Sequence, residues 1–102
     1  MLDERMNNEQ IEELADAMLT LGTREEVFLF FEDIFTIKEL QAVAQRLAVA
    51  RLLKKKVTYQ DIAECTGAST ATISRVNRSL TYGAGGYQMV LSRMPEDASG
   101  ET

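Results

Sequence analysis

Residues 57–80 contain the pattern that most constrains what this 102-residue chain can fold into. Ala63 is small enough for a close helix crossing, and Gly67, four positions later, can adopt the left-handed conformation of a sharp turn. Thr58 and Ser69 each precede a predicted helix, where a hydroxyl can cap free backbone N–H groups. The apolar positions that would join the helices are Ile62, Ala68, Ile73 and Val76. The pattern predicts a helix-turn-helix.

The exposed face of the second predicted helix favours contact with DNA. If that helix begins after Ser69, Ile73 and Val76 point inward and Thr70, Ala71, Ser74, Arg75 and Arg78 share the outer side. Short side chains let a helix lie deep in the major groove, and arginine can bind guanine or phosphate through two hydrogen bonds. The predicted contacts to bases, direct or through water, are Gln60, Ser69, Thr70, Ala71 and Thr72. The alternative is an ordinary helical hairpin, whose outer face would more often carry glutamate and lysine at paired spacing.

Charge is distributed unevenly along the chain, whose net charge is −5. Residues 1–35 carry ten acidic and two basic side chains (−8), residues 36–94 carry nine basic and three acidic ones (+6), and residues 95–102 carry three acidic ones (−3). Phosphates would therefore meet a positive field at the motif. The predicted phosphate contacts are Lys54, Lys55, Lys56 and Arg78, and Arg75 is a further predicted DNA contact. The three lysines also suit the C-terminus of a helix as a solvated cap, and both roles are compatible.

Composition excludes several classes of protein. The chain is 45% hydrophobic with one proline and little strand-forming sequence, which predicts a single all-α domain. It has no apolar run of 18 residues and begins with charged residues, so we expect no membrane span, no secretory signal and a cytoplasmic location. Histidine is absent and Cys65 is the single cysteine, which removes the common metal sites and nucleophile–base pairs. We expect neither an enzyme nor a bound metal or resident cofactor.

The first 35 residues form a predicted helical dimerisation segment. A first helix over about residues 6–21 would end at Gly22 in a left-handed conformation, and Thr23 to Glu26 predicts a capping box for the next helix. Residues 27–35 are apolar on nearly every side of a helix. A small monomer cannot cover such a helix, so the sequence predicts an intertwined homodimer.

Residues 36–94 form the predicted DNA-binding region with a C-terminal helix. Thr36 to Glu39 predicts a second capping box, which opens a long third helix. A last short helix is expected over about residues 87–93, and residues 95–102 are expected to be a disordered acidic tail. The predicted inward stripe of the third helix is Ile37, Leu40, Val43, Ala44, Leu47 and Ala50.

Residues 36–80 resemble the Trp repressor family, a TrpR-like superfamily, and in particular its YerC/YecD-type subgroup. The resemblance depends on Thr36 at the start of the third helix, on Arg46 within it, and on the run Thr-Gly-Ala-Ser-Thr-Ala-Thr-Ile-Ser-Arg at 66–75, followed by Asn-Arg-Ser-Leu at 77–80. It implies six-helix chains that form an intertwined homodimer and present two reading helices to a palindromic operator. Those helices would lie about 34 Å apart, one turn of DNA.

The resemblance also implies a binding site for a small-molecule corepressor. In the family an indole ligand lies between two arginines, which correspond here to Arg46 and Arg75. Thr36 and Ser79 match the positions that face the ligand's carboxylate and amine. Val76 stands where tryptophan-binding members carry glycine, and its branched side chain argues against L-tryptophan as the ligand.

Two functions from different classes fit these observations. The first is a sequence-specific transcriptional regulator, a repressor, that binds double-stranded DNA as a homodimer. The second is a protein-interaction module in which the helix-turn-helix face binds another protein and no DNA. Salt-sensitive affinity for DNA discriminates between them, because only the first requires it.

Overall fold

The structure is a computed structural model that describes residues 8–95, and every regular element in that range is an α-helix. The predicted six-helix, all-α fold is confirmed. The predicted acidic tail lies outside the described residues except for Pro95. The chain divides into two compact units, one up to Leu40 and one from Gln41 onwards. The helices are α1 (Glu9–Met18), α2 (Arg24–Ile34), α3 (Ile37–Lys54), α4 (Tyr59–Thr66), α5 (Thr70–Tyr82) and α6 (Gly86–Arg93).

The first unit contains α1, α2 and the first turn of α3, and side-chain caps begin its helices. Asn8 Oδ1 accepts a hydrogen bond from the backbone N–H of Ile11 at 2.9 Å, which caps α1. Thr36 and Glu39 form the predicted reciprocal capping box, with bonds of 2.9 and 3.1 Å. Thr23 caps α2, but the Glu26 carboxylate accepts from the N–H of the residue before Thr23 rather than from Thr23 itself.

The end predicted for α1 is wrong. The helix ends at Met18, and the residue that follows, Leu19, still has right-handed helical angles. Gly22 is not among the positive-φ glycines. The reason is that the N–H groups of Leu19, Thr20 and Leu21 already bond to the carbonyls three and four residues earlier. These bonds satisfy the carbonyls of Ala15, Ala17 and Met18 before the chain reaches Gly22, so no left-handed cap is needed there.

Apolar side chains in the first unit remain exposed in the single chain. Neither α1 nor α2 contains a buried residue. On α2, Phe28 is 55% exposed and Leu29 is 66% exposed, although the rings of Phe31 and Phe35 pack edge to face at 5.5 Å. The predicted apolar surface of α2 is therefore present.

The second unit contains the hydrophobic core of the described chain. All four apolar positions that the motif predicted as contacts between helices are buried, together with two residues near the end of α3. Leu53, Tyr87 and Leu91 pack partly buried against this core, so α3 and α6 support α4 and α5. The buried residues are Val49, Ala50, Ile62, Ala68, Ile73 and Val76.

The predicted inward stripe of α3 is only partly correct. Ala50 is buried as expected, whereas Ile37 is 75% exposed and Val43 is 42% exposed. Ala44 is also exposed, and Leu40 and Leu47 are half-buried. Val49, which lies off the predicted stripe, is fully buried. The cause is that α3 has apolar residues on more than one side. Near its C-terminal end, the side that carries Val49 and Leu53 is the one that packs into the core.

Glycine 83 is required by the geometry at the end of α5. A Cβ atom added there would clash with the backbone carbonyl oxygen of Ser79, whereas one added at Gly86 would meet nothing within 4 Å. We therefore expect Gly83→Ala to lower the free energy of unfolding by about 1–3 kcal/mol. Gly86→Ala should be neutral or slightly stabilising, since alanine reduces the freedom of the unfolded chain. Urea denaturation of the two variants measures this difference, and equal stability would contradict the account.

Candidate nucleic-acid interface

Helices α4 and α5 flank a three-residue turn whose geometry matches the sequence prediction. Gly67 has φ of 76° in the left-handed region, and its N–H bonds to the carbonyl of Ala63. The Thr58 hydroxyl accepts from the N–H of Asp61 at 3.2 Å and so caps α4. The Ser69 hydroxyl accepts from the N–H of Thr72 at 3.1 Å and caps α5. These local requirements fix where both helices begin and how the chain turns between them.

Two residues that the sequence reasoning did not select hold this turn in place. The Thr66 hydroxyl donates to the carbonyl of Ile62 at 2.8 Å and accepts from the N–H of Ala68 at 3.1 Å. Gln45 on α3 donates from Nε2 to the carbonyl of Thr66 at 3.1 Å. Gln45 therefore ties α3 to the end of α4. The sequence gives one indication of this role for Gln45, which is a polar amide within the apolar half of α3.

The predicted base-contacting residues all lie at the start of α4 or α5. Gln60 is exposed in the first turn of α4, and Thr70 and Ala71 are exposed in the first turn of α5. Thr72 is half-buried, and its Oγ1 accepts a hydrogen bond from the Ser69 hydroxyl at 3.1 Å. Since Ile73 is fully buried one residue later, the first turn of α5 is held firmly on the core while its outer side remains open.

The predicted phosphate-contacting residues are also exposed and belong to the same unit. Arg78 lies on the outer side of α5, as does Arg75, which is a predicted DNA contact without a phosphate role. Lys54 is the last residue of α3, and Lys55 and Lys56 lead directly into the cap of α4. From Gln41 to Pro95 the sequence carries eight basic and two acidic side chains, so the described part of this unit is strongly cationic.

The end of α3 is a Schellman turn that orients the three lysines. The N–H of Val57 bonds to the carbonyl of Leu52 at 3.1 Å, and that of Lys56 bonds to the carbonyl of Leu53 at 2.9 Å. Lys56 occupies the left-handed position of the motif with φ of 67°, where glycine is the usual residue. Val57 and Leu52 both pack against the core. The lysines thus stand on an anchored turn.

The residues suggested for a corepressor are only partly brought together. Arg46 and Ser79 line an open groove of about 500 Å³, together with Tyr87 and the glycine-rich segment 83–86. Arg75 does not line this groove. Thr36 lies in the first unit, where its hydroxyl caps α3. Val76 is 2% exposed in the core and does not line the groove either.

These features define the class of protein, which is a small all-α protein whose second unit is built around a helix, a tight turn and a second helix.

Comparison with known proteins identifies the family. The family described as Trp repressor protein matches residues 9–95. The chain belongs to the Trp repressor family, whose members are regulators rather than enzymes. Over residues 8–95, none of the helices combines the length and apolar character needed to cross a membrane.

Individual relatives agree with this assignment. The uncharacterized protein YerC of Bacillus subtilis (strain 168) is 46% identical over 93 residues, which cover 91% of this chain and 89% of that protein. The crystal structure of a TrpR-like protein from Eubacterium eligens ATCC 27750 matches with a TM-score of 0.85 at 49% identity, covering 89% of this chain and 94% of that one. A solved structure from Staphylococcus aureus gives a TM-score of 0.86 at 49% identity, covering 92% and 94%. The predicted YerC-type resemblance is confirmed.

Proposed function

We propose that this chain is a sequence-specific DNA-binding transcriptional regulator, a repressor, that binds a palindromic operator as a homodimer. One observation carries the proposal: α5 is fixed to the core by Ile73 and Val76, while its first turn presents short side chains and no acidic residue to solvent. A rigid helix with small residues at its N-terminal end can enter the major groove closely enough for base contacts. A protein that binds an operator must share a compartment with the chromosome, so the proposal includes a cytoplasmic location.

Phosphate contacts would set the orientation of α5 on DNA. Lys54, Lys55 and Lys56 precede α4, and Arg78 lies on α5, which also carries Arg75 as a further DNA contact. Contacts of this kind position a protein without reading sequence, whereas Ser69, Thr70 and the other residues of the first turn of α5 would read bases. Gln60, in the first turn of α4, joins that second group.

The homodimer is supported by the exposed apolar surface of the first unit. Phe28, Leu29 and Ile37 are each more than half exposed in the single chain, and several large apolar side chains left exposed in a small protein favour an interface. A second copy, packed helix against helix, would cover it. Two-fold symmetry then presents two copies of α5 to DNA, which predicts an inverted repeat with half-sites one helical turn apart, about 34 Å.

A small-molecule corepressor is part of the proposal through the groove that contains Arg46 and Ser79. A guanidinium can pair with a carboxylate and stack on an aromatic ring, so an anionic aromatic ligand would suit the site. Val76 fills core space, and moving it to admit a ring beside α5 would open a cavity. This cost is the reason to expect that L-tryptophan is disfavoured, which stays a prediction. The proposed contacts of Arg75 and Thr36 with a corepressor also stay predictions.

The division between base and phosphate contacts can be tested by substitution. Thr72→Ala should change sequence preference by about 1–3 kcal/mol, because it removes a hydroxyl at the start of α5 and the hydrogen bond that orients Ser69. Lys55→Ala should weaken binding to all sequences evenly and lower the slope of affinity against salt concentration by about 1. Fluorescence anisotropy on operator and random duplexes at several salt concentrations measures both effects.

Two matched variants control this experiment. Thr72→Ser keeps the hydroxyl and should retain most of the sequence preference. Lys38→Ala removes an exposed lysine from the first unit and should leave the salt slope unchanged. If Thr72→Ala and Lys55→Ala affect operator and random DNA equally, the assigned roles are wrong. If no salt-sensitive DNA binding occurs, either an effector is missing or the face binds a protein, and the alternative function is then favoured.

A further inference from the structure

A second groove, separate from the one that contains Arg46, lies between the ends of α3 and α6. Its volume is about 410 Å³. Arg51, Lys54 and Lys55 supply three cations from the end of α3, and none of the described residues that line it is acidic. The α6 side supplies Leu91, Ser92, Met94 and Pro95. We call this the cationic groove.

The two walls of the cationic groove are joined by a direct contact. Arg51 donates from Nη2 to the sulfur of Met94 at 3.5 Å, and both side chains are half-buried. Leu91, on the α6 side of the groove, packs against the core. The carbonyls of Leu52 and Leu53 accept backbone bonds within the Schellman turn. These contacts hold the two walls of the groove in place, and its lysine and arginine side chains favour an anionic occupant.

The sequence that follows the last described residue of the groove wall is anionic. Pro95 lines it, and the sequence continues with Glu96 and Asp97, then Glu101. Because successive Cα atoms are about 3.8 Å apart, Glu96 and Asp97 follow within one or two residues of the groove wall. Residues 96–102 carry three acidic side chains and no basic one. Charge and connectivity both match the groove to this segment.

We propose that residues 96–102 dock in the cationic groove through their carboxylates and compete there with DNA phosphates for Lys54 and Lys55. A tethered segment has a high effective concentration, so weak ion pairs suffice for occupancy at low salt. Docking would lower affinity for all DNA, and a sequence that supplies good base contacts to α5 would displace the segment more readily. The competition rests on the proposed function, whereas the docking does not.

The test uses a charge-neutral variant of the segment and a variant with the same change in net charge elsewhere. The first is the full chain with Glu96→Gln, Asp97→Asn and Glu101→Gln. The second carries Glu9→Gln, Glu12→Gln and Glu13→Gln on exposed positions of α1. Each variant loses three carboxylates and so raises the net charge by three, which means that a general electrostatic effect would appear in both.

Docking is measured without DNA. Backbone amide chemical shifts of Arg51, Lys54, Lys55 and Ser92 should change in the segment variant and not in the α1 variant. The same signals of the unchanged protein should move toward those of the segment variant as NaCl is raised, because salt screens the pairs. Absence of these changes would overturn the docking, whatever the DNA result.

Competition is measured by the affinity for a random-sequence duplex. The segment variant should bind about three- to tenfold more tightly at low salt, as expected for the release of a few exposed ion pairs, and the gain should vanish near 0.5 M salt, roughly where screening is complete. An equal gain in the α1 variant would overturn the competition and show a net-charge effect only. If no variant binds DNA, the proposed function fails, while the amide shifts still decide whether the segment docks.

Discussion

Replacing Ile73 with alanine should lower the free energy of unfolding by about 2–5 kcal/mol. Ile73 is fully buried and is one of the two α5 residues among the six buried residues that form the core of the second unit. Truncation removes apolar contacts and leaves a cavity that a small core cannot close completely. Since small domains are stable by only about 5–15 kcal/mol, a large part of the stability would be lost.

Urea denaturation followed by circular dichroism measures this change. Ile73→Val, which removes one methylene, should cost about 0.5–1.5 kcal/mol and provides a graded comparison. Thr70→Ala, on the exposed side of the same helix, should change stability by no more than about 0.5 kcal/mol. If Ile73→Ala costs no more than Thr70→Ala, the core described here does not hold α5 in place.

Replacing Leu29 with aspartate should convert the proposed dimer into monomers. Leu29 lies on α2 and is 66% exposed in the single chain, so the substitution can be accommodated without burying a charge within the chain. In a dimer interface the aspartate would be buried without a partner, at a cost of several kcal/mol. Affinity for a two-site operator should fall by about 100-fold or more, because each α5 would then bind alone.

Sedimentation velocity measures the change in mass, and anisotropy measures the loss of affinity. Gln10→Asp introduces the same charge at an exposed polar position of α1 and should leave both unchanged. A wild-type chain that sediments as a monomer, or a Leu29→Asp chain that remains dimeric, would contradict the proposed interface. If the Leu29→Asp chain has a monomeric mass and an unchanged circular dichroism spectrum, it has lost association without unfolding.

The parts of the fold that depend on local sequence could be predicted. The caps at Thr58 and Ser69 and the left-handed Gly67 follow from backbone requirements that a few neighbouring residues satisfy. Burial of Ile62 and Ile73 likewise follows from helical spacing on either side of one short turn. Within the motif, local and tertiary preferences agree, which is why the pattern was informative.

Other features depend on contacts between distant residues, which periodicity does not encode. The bond from Gln45 to Thr66 joins positions 21 apart in sequence. Burial of Val49 and exposure of Val43 depend on which side of α3 the rest of the second unit covers. The groove that contains Arg46 and Ser79 likewise depends on where the segment after α5 returns along α3. Such features require the tertiary arrangement.

The central claim is sequence-specific binding of a dimer to an inverted repeat, and one selection experiment tests it directly. Sheared genomic fragments from the source organism are incubated with the purified protein at moderate salt, with and without L-tryptophan, and the retained fragments are sequenced. The account predicts enrichment of inverted repeats whose half-sites are separated by one helical turn, with little dependence on tryptophan. A strong dependence on tryptophan would contradict the prediction based on Val76. Retention of fragments with no common sequence, or of none, would contradict the claim of a sequence-specific regulator.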